Sequence, residues 1–248
     1  MSTHFKIIVP MYNVERWAEA TIVSVKEQDY DNFQCIVADD MSTDNTLEIV
    51  KAAIGDDSRF KLISNTEKKY ALKNILDSIE VSEPTVEDVI VNLDGDDWFP
   101  HRSVLSFVSS VYEKEDVWLT YGNHMNWPDI DPPWSLFPYP QDVVEQNSFR
   151  DFRYLASHLR TFKYGLLPHI KKEDFCDDRG EYFSITADLA LMFPLCELAG
   201  KRSKFLDKIL YVYNNHNPLN DWRIKPSEQK GIENLLRKRT RYQSLEKL

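Results

Sequence analysis

Short apolar runs in the first hundred residues stop again and again at a polar or acidic cluster and then give way to a helical pattern. That rhythm narrows the choice of fold more than any other feature of the chain. Phe5 to Val9 is β-branched and apolar and halts at Pro10-Met11-Tyr12-Asn13; Cys35 to Ala38 halts at Asp39-Asp40; Val89 to Leu93 halts at Asp94-Gly95-Asp96-Asp97. Between them, Val14 to Gln28, Thr43 to Ile54 and Lys69 to Glu80 read as helices, with a further strand at Lys61 to Ser64. Val104, Val108, Val111 and Tyr112 form another helical face before a strand at Val117 to Tyr121. Strands alternating with helices of this length require right-handed crossovers, and so predict a mostly parallel sheet. In such sheets the ligand crevice lies beyond the carboxyl ends of the strands, which is where the three polar clusters fall.

The second half reads differently. Trp127 to Pro140 contains five prolines and no clear period, as in a long loop or lid. Helical patterns follow at Phe149 to Leu159, Asp188 to Ala199 and Pro226 to Leu245, with one apolar strand at Ile209 to Tyr213. With 248 residues, 42% hydrophobic and 28% charged, the chain can bury a sizeable core and lies far from the disordered class. No stretch is long and apolar enough to predict a membrane span, and no leader pattern is present, so no membrane anchor is expected. Cys35, Cys176 and Cys196 are widely spaced with no CxxC pair, which predicts neither a disulfide framework nor a zinc site and suggests a reducing, cytoplasmic setting. A formal charge of -10 opposes nonspecific polyanion binding. Trp222 to Leu248 nevertheless holds eight Lys/Arg against three Glu, a run that faces either water or a phosphate.

The clusters suggest a chemistry. Asp94 and Asp96, one residue apart on an extended segment, have the spacing to share a hard divalent cation that bridges a diphosphate, and Gly95 allows close backbone approach. Trp98-Phe99-Pro100 would seal that loop. Asp39 can accept the imide N–H of a uracil ring while Tyr12 covers the ring face, and Asp40 or Asp44 can hold ribose or order the loop. Ser42 reads as the N-cap of the following helix.

Taken together, Ile8-Val9-Pro10-Met11-Tyr12-Asn13, Ser24 to Tyr30, Val37 to Thr46 and Leu93-Asp94-Gly95-Asp96-Asp97 make the chain resemble a family 2 glycosyltransferase with the GT-A fold. The resemblance implies an α/β, Rossmann-like domain. Residues 1–125 would form its nucleotide-sugar-binding half, and residues 126–248 a smaller, mainly helical acceptor-binding part of the same domain. It implies that Asp39 reads the nucleobase and that Asp96 binds Mn²⁺ or Mg²⁺, with Asp94 assisting at ribose or metal; Pro10, Tyr12 and Asn13 belong to the same nucleotide-binding set. Lys73, beside Asn74, stands where the family has Arg and is expected to offer positive charge to the diphosphate or ribose side, although the family's nearby glycine is missing here.

Thr186-Ala187-Asp188-Leu189 matches the family's acidic pair ahead of a helix, which makes Asp188 the expected general base, although Ala187 removes the second carboxylate. Tyr211-Val212-Tyr213-Asn214-Asn215-His216 is similar to a closing segment in which His216 is a third metal ligand or a diphosphate contact; imidazole suits Mn²⁺ better than Mg²⁺. Arg160 to Tyr164 and Trp134 are candidates for an acceptor platform. The implied activity is non-processive, inverting transfer of one sugar, most naturally from a UDP-sugar, to a glycan or other hydroxyl-bearing acceptor. Two other readings stay open: glycosylation of hydroxylated bases in modified DNA, for which Arg153, Arg160 and Lys163 would serve, and a noncatalytic sugar-nucleotide-binding module.

Overall fold

The computed structural model describes residues 2–129 and 137–248. In chain order the elements are β1 (Phe5–Met11), α1 (Ala18–Lys26), β2 (Phe33–Asp39), α2 (Thr46–Ile54), β3 (Phe60–Ser64), α3 (Tyr70–Val81), β4 (Val89–Asn92), α4 (Val104–Lys114) and β5 (Leu119–Trp127). There follow α5 (Gln141–Glu145), β6 (Arg160–Lys163), α6 (Ala187–Ala199), β7 (Ser203–Asn214), α7 (Asp221–Ile224) and α8 (Pro226–Lys238), with short 3₁₀ turns between β6 and β7. The strands form one sheet in the order β3-β2-β1-β4-β6-β5-β7. β1 pairs in parallel with β2 and β4, β2 with β3, and β5 with β7. Only β6 runs against its neighbours, pairing antiparallel with β4 and β5. The mostly parallel sheet expected from the β-α alternation is therefore present.

Alternate residues along β1 feed opposite faces of the sheet. Ile8 joins a core layer with Ile36, Ile90 and the apolar faces of α3 and α6, while Ile7 and Val9 join a second layer with Cys35, Val37 and residues of α1, α2 and α4. Burial on both faces explains why β1, β2 and β4 read as continuous apolar runs.

Three expectations need correction. Phe149 to Leu159 is not a helix. Its backbone is held by side chains instead: Arg237 donates to the carbonyls of Arg150 and Phe152, Arg160 Nε donates to Ala156 O, and the Leu155 N–H goes to the Tyr139 hydroxyl. Those tertiary bonds take the place of the helical ladder. Ser42 does not cap α2, which begins later; its hydroxyl accepts the Asn13 N–H at 3.0 Å, and Asp44 instead accepts the Thr46 N–H at 3.0 Å. The third helix of the second half ends at Lys238 rather than Leu245.

The basic tail has a use that neither of its two sequence readings named. Arg237 holds the carbonyls already described, Arg239 donates to Glu173 O and Cys176 O, and Arg241 pairs with Asp151. Much of its positive charge is spent in fastening the C-terminal segment to the body. Among the described residues no helix is long and apolar enough to cross a membrane, and the three cysteines are buried and unpaired.

Candidate active site

The carboxyl ends of β1 and β4, the start of α6 and the segment after β7 enclose a cavity of about 410 Å³. Pro10, Tyr12, Asp94, Asp96 and Asp188, all singled out in the sequence, line it. Asn13, Asp39, Lys73 and His216 are not among the lining residues, and Trp134 lies outside the described residues.

At one end the loops after β1 and β2 are laced together. Asn13, at φ 51°, accepts the Thr43 N–H on its side-chain oxygen at 2.8 Å, and Asp40 N–H donates to Met11 O. The adjacent aspartates have separate tasks. Asp40 is saturated: it accepts the Lys69 and Tyr70 N–H groups and the Asn65 amide, and pairs with Lys68 at 3.1 Å. Burial opposes ionisation of Asp40, but the polar groups around it, Asn74 and the Lys69 N–H foremost, outweigh it and hold its carboxyl below the usual range. Asp39 accepts one N–H, from Ser42, and its buried Oδ1 has no partner, a site with unused acceptor capacity. Lys68 Nζ lies over the Tyr12 ring, 2.7 Å from its centroid. The cation at this end is thus Lys68; Lys73 turns away to pair with Asp77.

Gly95 packs so closely beneath the β1 end that a Cβ there would meet Pro10 O at 2.6 Å and Met11 Cγ at 2.5 Å. That contact sets the depth of the Asp94-Asp96-Asp97 loop. The loop is fastened on its other side to β7: Trp98 and Val212 exchange backbone bonds, Tyr211 donates to Asp97 Oδ2 at 2.6 Å and accepts the Asp94 N–H at 3.1 Å, and Asp97 Oδ1 takes the Asn214 N–H at 2.7 Å. Phe99 is buried beneath, so the Trp98-Phe99-Pro100 segment closes the loop as expected. Asp96 accepts one side-chain bond, from Asn217 at 2.7 Å. Desolvation raises all three carboxyls: Asp96 to about 6, Asp94 despite the attraction of Arg160, and Asp97 the most, with Asp96 and Asp94 adding repulsion.

Asp94, Asp97 and His158 offer ligand atoms within 4.8 Å of one another. Both oxygens of Asp97 are occupied, however. His158 Nε2 faces Arg160 at 2.9 Å, and because guanidinium only donates, the ring hydrogen belongs on Nδ1. Burial and Arg160 hold that ring neutral, stacked on Tyr211 with centroids 4.3 Å apart. Asp94 and Asp96 retain the greater acceptor capacity. His216 is exposed, its ring edge-on to Trp127 at 6.3 Å, and the residue that reaches the aspartate loop is its neighbour Asn217.

Arg160 occupies the middle of the site. It is buried at the start of β6 and stands 3.6 Å from Asp188. Burial alone would lower its pKa, but Tyr154, Asp188 and Asp94 more than reverse that, so the charge stays fixed. Of the segment considered for an acceptor platform, only Arg160 reaches the cavity: Thr161 and Phe162 are in the core, and Lys163 pairs with Glu87. Asp188 opens α6, where helix N–H groups favour a carboxylate. Asp221, Trp222 and Ile224 complete this end, and burial beside Asp188 pushes the Asp221 carboxyl up to about 6.

Sequence reading passed over Lys68, Asp97, Tyr211, Asn217 and Asp221 as site residues. Asp97 and Tyr211 stood inside quoted motifs; the others sit in segments without a local pattern.

The mostly parallel sheet, with its cavity at the carboxyl ends of the strands, has the GT-A fold of two glycosyltransferases of known structure. S. aureus TarS in complex with UDP-GlcNAc has a similar fold, with a TM-score of 0.72 at 19% identity, covering 94% of this chain and 65% of that one. The mannosyltransferase PcManGT from Pyrobaculum calidifontis, in complex with GDP-Man and Mn²⁺, has a TM-score of 0.66 at 18% identity, covering 98% and 66%. Residues 6–160 match the family described as Glycosyl transferase family 2, and the chain belongs to that family. Glycosyltransferase GlyG of Streptococcus pneumoniae is 28% identical over 231 residues, 88% of this chain and 72% of that protein.

Proposed function

We propose that this glycosyltransferase is metal-dependent and inverting, and moves one sugar from a UDP-sugar to a hydroxyl of a glycan-type acceptor. The observation that carries the reading is the single cavity that holds Asp94 and Asp96 on one wall and Asp188 on another, with one fixed cation, Arg160, between them. Asp39 is the base reader, by virtue of its unpartnered buried oxygen, and Tyr12 and Pro10 border the nucleotide. Asn13 shapes that loop, and Lys68 rather than Lys73 supplies positive charge near it.

Asp94 and Asp96 suit a divalent ion of the Mn²⁺ or Mg²⁺ kind, because repelling carboxylates set in a desolvated cavity are stabilised by a hard cation. Bound there, the metal would neutralise charge on the departing diphosphate. His216 joins that set only if the segment after β7 turns its ring inward. Asp188 accepts the proton of the attacking hydroxyl as the oxygen bonds to the anomeric carbon, and the electron pair of the broken bond leaves with the nucleoside diphosphate. Attack from the face opposite the leaving group inverts that carbon.

The test is nucleotide release from UDP-, GDP- and dTDP-sugars in Mn²⁺, Mg²⁺ or EDTA, for wild type, Asp96→Ala and Asp188→Asn. We expect release from UDP-sugars that is metal-dependent and falls at least about 100-fold in Asp96→Ala. Asp188→Asn should lower transfer about 10²- to 10⁴-fold with the donor KM unchanged. Nucleotide binding without turnover in any metal would make the protein a binding module.

A further inference from the structure

Ala187 leaves the base without the neighbouring carboxylate that its motif leads one to expect, yet a second carboxylate does enter the acceptor end, from a different element. We infer that Asp221 is an acceptor-positioning residue which, together with Asp188, grips two adjacent hydroxyls of a sugar acceptor. The inference rests on the reading of Asp188 as base and adds the class of acceptor.

Asp221 opens α7 and lines the same cavity as Asp188. Thr186, the residue immediately before α6, lines it as well. Asp188 thus borders the cavity at the N-terminal end of a helix, the end that favours negative charge, and Asp221 shares that opening. α7 is tethered to the strand that precedes it. Asn217 ties its approach to Asp96 at 2.7 Å, Asn220 donates to Asn214 O at 3.1 Å, and the Trp222 indole donates to the Tyr213 hydroxyl at 3.2 Å. The donor-side carboxylate and the acceptor-side carboxylate are thus spaced by one short, tethered segment.

Asp221 also has capacity to spare. Lys225, the nearby cation, pairs with Glu228 at 3.4 Å, and among the described residues no side chain donates to Asp221. An ionised carboxylate only accepts, so two of them flanking one opening suit two O–H donors side by side. An isolated hydroxyl, such as that of a hydroxymethylated base, would satisfy one and leave the other facing it unused. On the same lip the Trp222 ring is 46% exposed, with the Arg223 guanidinium 4.3 Å from its centroid. Asp188 takes the proton of the attacking hydroxyl; Asp221 takes none and accepts a hydrogen bond from the neighbouring one.

The experiment uses methyl glycosides of common hexoses, and their mono-deoxy analogues lacking the hydroxyl next to the one glycosylated, with the donor that releases nucleotide. The wild type should prefer the intact diol by about 10- to 100-fold in kcat/KM, the range for a hydrogen bond to a charged group. Asp221→Ala should raise the acceptor KM by a similar factor, leave the donor KM unmoved and abolish discrimination against the deoxy analogue, and Asp221→Glu should restore part of the preference. Several results would overturn the inference: a diol preference that survives Asp221→Ala, an equal loss in donor and acceptor parameters, or wild-type enzyme that releases nucleotide but transfers to none of the glycosides. Failure of the base reading looks different: Asp188→Asn would transfer as fast as wild type, whatever Asp221 does.

Discussion

Asp96 illustrates how a functional position works against the fold that holds it. Its carboxyl is raised to about 6 because burial penalises the charged form, with Asp94 adding repulsion and Asn217 relieving only part of the strain. Such a group stabilises the folded state fully below its unfolded pKa, 3.8, and that contribution is lost as the pH rises through about 6. Asparagine at the same position does not titrate. Asp96→Asn should therefore match the wild type near pH 4 and exceed it by about 2 kcal/mol at pH 7 in EDTA, read as the difference between paired urea unfolding curves. Mn²⁺ should close the gap by stabilising the wild type alone. Equal stability of the two proteins at pH 7 in EDTA would show that Asp96 carries no such burden.

At the scale of elements, the aspartate loop has its depth fixed by β1 and its outer side by β7. Gly95→Ala pushes a methyl group into Pro10 O, a backbone atom that cannot swing aside. We expect a loss of about 1–3 kcal/mol, the usual range for overpacking, together with weaker Mn²⁺ binding by calorimetry. Unchanged affinity in a destabilised protein would separate loop depth from metal binding. The elements also differ in how legible they were. β1, β2 and β4 announced themselves because both their faces are buried, and the polar clusters at their ends could be placed by the crevice rule. β6 went unseen because it has four residues, two of them, Arg160 and Lys163, charged, and its pairing is entirely long-range. Phe149 to Leu159 misled for the opposite reason: its apolar residues are buried, but at spacings set by Tyr139, Arg160 and Arg237 rather than by a helix. In the site, Asp94, Asp96 and Asp188 stood in legible motifs. Lys68, Asn217 and Asp221 did not, since their position depends on contacts between elements remote in sequence.

Across the molecule, one buried ion pair connects the irregular 149–159 segment, α6, α8 and the C-terminal tail. Arg150 meets Glu197 through Nε at 2.6 Å and through a second nitrogen at 2.9 Å, and also donates to Leu236 O; Glu197 accepts the Tyr242 N–H at 3.1 Å. Glu197→Ala leaves the guanidinium buried without its partner, and should cost about 3–5 kcal/mol in urea unfolding, with faster tryptic cleavage near Arg241. A loss under 1 kcal/mol would mean that the tail is held independently of the pair. The placement of β6 has a consequence for the order of assembly. β4 is followed in sequence by α4 and β5, but the strand that covers its edge away from β1 comes from residues 160–163. During synthesis the apolar edge of β4 must wait, with its backbone donors and acceptors unmatched, until that later segment emerges from the ribosome. The interval is when a nascent chain is most exposed to pairing with the wrong strand, its own or a neighbour's.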